Sequence, residues 1–223
     1  MAQNPTSAKF FWTCPVAERD SAITQSLDLA IACPTEPRSL RSVFFFDVES
    51  TDLHGSAFGF GALFAHVHDD GTVEVIDSNK CFSRESHTKC SQWVRENVLP
   101  VLVGNITDDE WVNKDFEMRD RFWGFLQKCI KSNKNVEVWA DVAWPVEAKF
   151  LLEVVNDGNG QRDFEGPYPL KDLSTLLPVG EDRIVYGGVE EKLGRVLRPH
   201  DPLDDCLASL YALNNVFMIL RSK

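Results

Sequence analysis

From Ser42 to Thr51 the chain is apolar through Val43-Phe44-Phe45-Phe46 and turns polar at Asp47, which predicts a strand buried on both faces at its start and open at its end. A second strand is expected over Ala57–Val67 and a third over Thr72–Ile76, joined at Asp70-Gly71, a strong hairpin signal. Helical spacing of apolar residues then takes over, in about Thr88–Leu102 and Phe116–Ser132. A fourth strand begins at Val136. A helix is expected from Pro145, because proline at the first helical position gives up an N–H that has no partner there. Asn156-Asp157-Gly158-Asn159-Gly160 is a loop. The closing helix runs over about Leu203–Leu220, with Leu207, Leu210, Tyr211, Leu213, Asn214 and Phe217 near helical spacing as core residues. Residues 1–41 show little periodicity and hold Pro5, Pro15, Pro34 and Pro37. The organisation is therefore read as an N-terminal extension followed by one domain over residues 42–223.

Composition narrows the class. A chain of 223 residues, 43% hydrophobic and with 15 Phe and 6 Trp, can bury a substantial core, and one α/β domain is the expectation. Its net charge of −11 argues against a broad basic surface gripping long duplex DNA, since phosphate contacts supply most non-specific affinity. Bound cations could still place positive charge where a phosphate must sit. The 6 cysteines include no Cys-x-x-Cys pair, so a zinc ribbon and a thioredoxin-type motif are excluded, and reduced thiols in a cytoplasmic setting are expected. No membrane is expected either: no apolar run approaches the roughly 18 to 20 residues of a span, and Phe10-Phe11-Trp12 is too short for a secretory signal.

The candidate chemistry lies in two segments. Alternate residues of a strand share a face, so Asp47 and Glu49 point the same way while their apolar neighbours anchor the strand. Paired carboxylates repel unless a cation lies between them, and hard oxygen donors suit Mg²⁺ or Mn²⁺. Taken alone, Asp-x-Glu also fits an acidic strand end entering a turn. The second segment, His200-Asp201-Pro202-Leu203-Asp204-Asp205-Cys206, sets a histidine five residues before an aspartate in the first turn of the closing helix.

In order and spacing these segments resemble the DEDDh 3′–5′ exonucleases of the ribonuclease H-like superfamily, over about Ser42 to Leu220. Asp47-Val48-Glu49-Ser50-Thr51-Asp52-Leu53 resembles the family's Asp-x-Glu-Thr-Thr-Gly-Leu, with Asp52 in place of glycine, and His200 to Asp205 fits its His-x₄-Asp. The middle motif is altered. The family places an aspartate three residues before a Phe-Leu pair, after His-Asn; here Glu147 holds that register ahead of Phe150-Leu151, Asp141 matches by residue type at the strand end, and the His-Asn is absent. Either Asp141 or Glu147 is the candidate, and each also has a plain reading, as a strand-end turn former or as a carboxylate favoured by the helix dipole.

The resemblance implies a mixed five-stranded sheet, three antiparallel strands then parallel ones, flanked by helices. It implies two Mg²⁺ or Mn²⁺ ions held by Asp47, Glu49, Asp205 and one of Asp141 or Glu147, with His200 as general base. Thr51 and Leu53 would meet the 3′-terminal nucleotide of a single-stranded nucleic acid, and some relatives are homodimers. Two other functions are open: a binding module of this fold without catalysis, suggested by the altered middle motif, and a phosphodiesterase for very short oligonucleotides, suggested by the acidic charge.

The remaining candidates have structural readings. His66 and His68 share a face at the end of the second strand without a third ligand nearby. Gly59-Phe60-Gly61 has no lysine or helix start behind it, so close packing against a neighbouring strand is expected rather than a phosphate loop. Tyr186-Gly187-Gly188-Val189 reads as a loop before the last motif. Lys128, Lys131 and Lys134 complement a helix end, or touch nucleic acid.

Overall fold

The computed structural model describes residues 40–102, 104–176 and 188–221. The expected extension lies outside the described residues, apart from Leu40 and Arg41. These two begin β1 (Leu40–Ser50), where they pair with His68 and Val67 of β2 (Ala57–His68). β3 (Val73–Ser83) pairs antiparallel with β2, and the turn between them carries Gly71 at φ 85°, with the Thr72 amide donating to Asp70 Oδ1 at 2.8 Å. Three short helices follow, α1 (Arg84–His87), α2 (Gln92–Asn97) and α3 (Leu99–Leu102), then β4 (Trp111–Val112) and the long α4 (Asp115–Ser132). β5 (Glu137–Ala140), α5 (Ala148–Asn156), β6 (Leu170–Asp172), α6 (Val189–Leu193) and α7 (Pro202–Arg221) complete the described strands and α-helices.

The strands form a sheet in the order β4-β3-β2-β1-β5-β6, antiparallel from β3 to β1 and parallel from β1 to β6. This is the ribonuclease H-like arrangement, with six strands rather than the five expected. The addition is β4, a two-residue edge pairing that leaves no pattern in the sequence.

β1 is central and covered on both faces, which is why Val43, Phe44, Phe45 and Phe46 are all fully buried. Phe44, Phe46 and Phe60 pack under α4 and α5, where Phe122 meets Phe60 and Phe150 edge to face at 5.2 and 5.0 Å. On the opposite face Val43, Phe45 and Leu63 pack under Leu210 and Leu213 of α7. Asp47 and Glu49 continue the Val43–Phe45 row, so strand alternation alone aims both at α7. A smaller third core gathers Phe58, Phe82, Val94 and Leu102 beneath α2 and α3.

Several sequence expectations need correction. β3 runs to Ser83, not Ile76: most of it is a free edge, and the polar run Asp77-Ser78-Asn79, with Ser78 exposed, breaks the apolar alternation. The helix expected over Thr88–Leu102 is split. Ser91 starts α2 as N-cap, its side chain accepting from the Val94 amide at 3.3 Å, and α3 is a separate turn containing Pro100. No regular helix begins at Pro145. Trp144 is extended (φ −117°, ψ 136°), as a residue before proline prefers, and α5 begins at Ala148. By length and composition α7 is apolar enough to cross a membrane, contrary to the sequence reading; half of that stretch is buried inside the fold, and it carries Asp204 and Asp205.

Other expectations fit. A Cβ on Gly59 would lie 2.4 Å from the Phe82 ring, and one on Gly61 2.4 Å from the Pro202 carbonyl carbon, so both glycines permit close packing. His66 approaches Ser42 Oγ (3.4 Å) and the Phe64 ring, and His68 approaches Glu74 at 3.8 Å. Lys131 lies in the last turn of α4 as expected, whereas Lys128 pairs instead with Asp77 of β3 at 2.7 Å. Of the loop before the last motif, Tyr186 and Gly187 lie outside the described residues, and Gly188 (φ 73°) precedes α6.

Candidate metal centre and adjoining cleft

At the C-terminal end of β1, side chains from four parts of the chain converge: Asp47 and Glu49 from β1, Asp141 from the end of β5, Glu147 from the turn before α5, and Asp205 from the first turn of α7. The effect on Asp47 is direct, since burial first and then Glu49, Asp205, Glu147 and Asp141 push its pKa well above the ordinary range. Asp47 is only half-buried by accessible surface, yet its carboxyl is crowded enough for desolvation to lead. Burial, then Asp205 and Glu147, raises Glu49 to about 8. Glu147 rises to about 7, mainly by burial and despite main-chain amides of Glu147 and Val48 that favour its ionised form. Asp205 also rises to about 7, mainly by burial, against the His200 amide that donates to it. The structure therefore brings Asp141 and Glu147 into the same cluster. The turn over residues 143–147 folds back along β1, so an alignment position and a strand end that look exclusive along the chain are neighbours in space.

His200 lies beside this cluster. Its Nδ1 is 3.9 Å from Glu49 Oε1, and ligand atoms of Glu49, His200 and Asp205 all lie within 4.8 Å of one another. Its main-chain N–H donates to Asp205 Oδ2 at 2.9 Å, and its backbone is left-handed (φ 65°), a conformation a non-glycine residue holds only where its surroundings enforce it.

Those surroundings were not anticipated. Buried Asp201 accepts from the Leu203 amide at 3.2 Å and pairs with Lys80 (3.4 Å) and Arg198 (2.8 Å), while Asp204 binds Arg195 at 2.5 Å and Arg198 at 3.2 Å. Asp204 and Asp205, adjacent in sequence, thus serve opposite ends: one ties down the loop carrying His200, the other joins the cluster. A pair of aspartates flanking a helix start, with arginines just upstream, was the available signal. Asp172 is a further support, its carboxylate accepting from the Ala143 amide at 3.1 Å and from Ser174 Oγ at 2.5 Å.

A cleft of about 410 Å³ opens beside Glu49 and His200, walled by Leu53, Trp93, Val94, Val98 and Val146. Leu53 is 64% exposed and stands in this wall. Thr51 does not reach it. It is buried, its N–H donating to Ser56 O (2.9 Å) and its carbonyl accepting from Ser91 N (2.8 Å). Trp93, 59% exposed and edge-on to the His200 ring at 6.1 Å, was missed because an exposed and a buried tryptophan read alike in a sequence.

Lys149 links the cleft to the cluster. Its ammonium donates to the carbonyls of His54 (2.8 Å) and Gly55 (2.6 Å), joining the loop that carries Leu53 to the helix behind Glu147. Lys149→Met is expected to cost about 1 to 2 kcal/mol, the range of charge-assisted hydrogen bonds at a half-open site. It should also speed amide hydrogen exchange at Thr51 and Gly55; unchanged exchange there would show that the loop holds itself.

No family model matches the chain, and no curated protein matches it. Solved structures that it is similar to include an exonuclease I (14% identity, TM-score 0.47, covering 82% of this chain and 43% of that one). Another is cell-death related nuclease 4, CRN-4 (13%, 0.45, covering 82% and 65%). A zinc-bound complex of Escherichia coli exonuclease I with single-stranded DNA is a third (11%, 0.46, covering 82% and 40%). This chain spans less than half the length of those exonuclease I chains. The fold class itself rests on strand order and direction.

Proposed function

We propose that this chain is a metal-dependent 3′–5′ exonuclease that hydrolyses single-stranded nucleic acid from its end. The observation that carries the reading is the convergence of Asp47, Glu49, Asp141, Glu147 and Asp205, with His200, beside an apolar cleft. The donor set fits divalent metal: all-oxygen, crowded, and raised in pKa because like charges meet in a partly dry setting, which is where hard cations bind. Asp47, Glu49, Asp205 and one or both of Asp141 and Glu147 would hold the ions. Bound there, two Mg²⁺ or Mn²⁺ ions would supply a water of lowered pKa and offset charge on the leaving 3′ oxygen.

The chain's own residues do the rest. His200, half open to solvent, takes the proton of the attacking water, and Asp205 fixes the imidazole's approach through its bond to the His200 amide. Leu53 and Trp93 hold the terminal nucleoside, for which a cleft of about 410 Å³ has room for little more than one. Direction and end-specificity come from the motif resemblance. A cytoplasmic setting is proposed on the four described cysteines, Cys81, Cys90, Cys129 and Cys206, which are all free and buried.

The test uses 5′-labelled single-stranded RNA and DNA oligomers with Mg²⁺, with Mn²⁺ and with EDTA. A metal-dependent ladder shortening from the 3′ end is expected, slowed about 10²- to 10⁴-fold in His200→Ala. Comparing Glu147→Gln with Asp141→Asn by the Mg²⁺ concentration for half-maximal rate identifies the ligand. Oligomers left intact in every lane would overturn the reading, and cleavage confined to the shortest ones would favour a phosphodiesterase for very short oligonucleotides.

A further inference from the structure

Two exposed tryptophans lie on elements to either side of β1, whose end carries the carboxylate cluster. Trp93, 59% exposed, rises from α2, whose core packs on Phe58 and Phe82 of β2 and β3. Trp144, 72% exposed, lies in the turn after β5, two residues before Val146 of the cleft wall. The sheet order β3-β2-β1-β5 puts one to each side of the end of β1, which carries Asp47 and Glu49. Trp139, by contrast, is buried in the core at 5% exposure, so the fold has room to hide an indole where nothing requires it outside.

The cations bordering the site are already engaged. Lys80 binds Asp201 and Glu110 (3.4 and 3.6 Å), Arg195 binds Asp204 (2.5 Å), Arg198 binds Asp201 (2.8 Å), and Lys149 binds two carbonyls. The whole chain carries a net charge of −11. Pairing with the phosphates of a strand would therefore compete with bonds these cations already make, several of them to buried aspartates, within an acidic protein.

We infer that a single strand crosses the end of β1 with its terminal base against Trp93 and the preceding base on Trp144, held by stacking rather than by phosphate pairing. This rests on the exonuclease reading for the identity of the ligand and deepens it. Bases must be unpaired on both sides of the scissile bond, so a duplex end is a poor ligand. Affinity should also respond weakly to salt, because few phosphate counterions are released.

The experiment measures equilibrium binding of a fluorescent oligothymidylate of about ten nucleotides, in RNA and DNA forms, with Ca²⁺ present. The proteins are wild type, Trp144→Ala, Trp144→Phe and Trp93→Ala. Trp144→Ala should weaken binding between about five- and a hundredfold, the span of base–aromatic stacking, with Trp144→Phe retaining most of the affinity. The KM for the 4-nitrophenyl ester of thymidine 5′-monophosphate, which fills only the terminal cleft, should rise more in Trp93→Ala than in Trp144→Ala, whereas Trp144→Ala should weaken the oligomer more than this ester. The slope of log affinity against log salt should be shallower than about −1, against about −0.7 for each phosphate paired on a single strand. Unchanged oligomer affinity in Trp144→Ala, a steep salt slope, or no binding by the wild type would each overturn the inference. Binding that depends on Trp144 without cleavage would instead keep it and sink the exonuclease reading; cleavage indifferent to Trp144 would do the reverse.

Discussion

Asp47→Asn is expected to remove metal-dependent hydrolysis, by on the order of a thousandfold or more, and at the same time to make the metal-free protein more stable at pH 8. Both effects have one cause. Asp47 is surrounded by Glu49, Asp205, Glu147 and Asp141, an arrangement that suits bound cations and is unfavourable without them. The sign follows from proton counts. Glu49, Glu147 and Asp205 have folded pKa values near 8, 7 and 7, against ordinary values of 4.5, 4.5 and 3.8. Across the window from about pH 4 to about pH 8 the folded protein binds more protons than the unfolded chain, so stability falls as pH rises. Below that window the groups are neutral in both states and the penalty is absent.

Replacing Asp47 removes the cost of holding its own carboxyl buried among four others, at about 1.4 kcal/mol per unit by which its pKa is raised, and each kcal/mol moves the melting temperature by about 2 to 4 °C in a domain of this size. The metal-free variant should therefore melt at least about 3 °C above the wild type at pH 8, with no such gain at pH 4, while Mg²⁺ should raise the wild type far more than the variant. Thermal melts at the two pH values, with and without Mg²⁺, read all of this. A variant that melts lower than the wild type at pH 8 would show that Asp47 is held by contacts the cluster does not explain.

How much of the site was legible depends on the kind of information each residue carries. Asp47 and Glu49 could be placed because a strand has a period of two and the Val43–Phe45 row declares which face is buried. Asp205 could be placed only through the motif spacing; hydrophobic pattern alone does not separate it from Asp204, which turns instead to Arg195 and Arg198. The choice between Asp141 and Glu147 was posed as exclusive because distance along the chain was the only measure. The preference of Trp144 for extended backbone before Pro145 folds the segment back and brings both carboxylates to the cluster. Lys80 escaped notice because β3 is an edge strand whose polar middle hides its true length, and the short β4 has too few residues to carry a pattern. The two exposed tryptophans were invisible for a different reason: sequence reports apolar residues, not which of them the fold declines to bury.

Gly61→Ala carries the second large effect, because this glycine decides how closely α7 can approach the sheet. Gly61 pairs with Asp47 on one side and with Lys80 on the other, in the row of β1, β2 and β3 that faces α7. A Cβ there would lie 2.4 Å from the Pro202 carbonyl carbon, 2.5 Å from its oxygen and 2.6 Å from the Leu203 amide nitrogen. These are main-chain atoms, so no rotamer change relieves the overlap, and the first turn of α7 must rise by about 1 Å to reach ordinary contact. That turn holds Asp205, which holds the His200 amide, and Lys80 pins it through Asp201. A displacement of this size at a reacting centre costs on the order of 10²-fold in rate. Overpacking should cost a further 1 to 3 kcal/mol or so in stability. Gly59→Ala is the control: its Cβ would meet the Phe82 ring at 2.4 Å, in the core beneath α2 and α3, so it should lower the melting temperature without moving α7. Steady-state kcat with Mg²⁺ and thermal melts on both variants separate the two. If Gly61→Ala kept its kcat within a factor of about three, the close seat of α7 on β2 would not be what places Asp205 and His200 for the reaction.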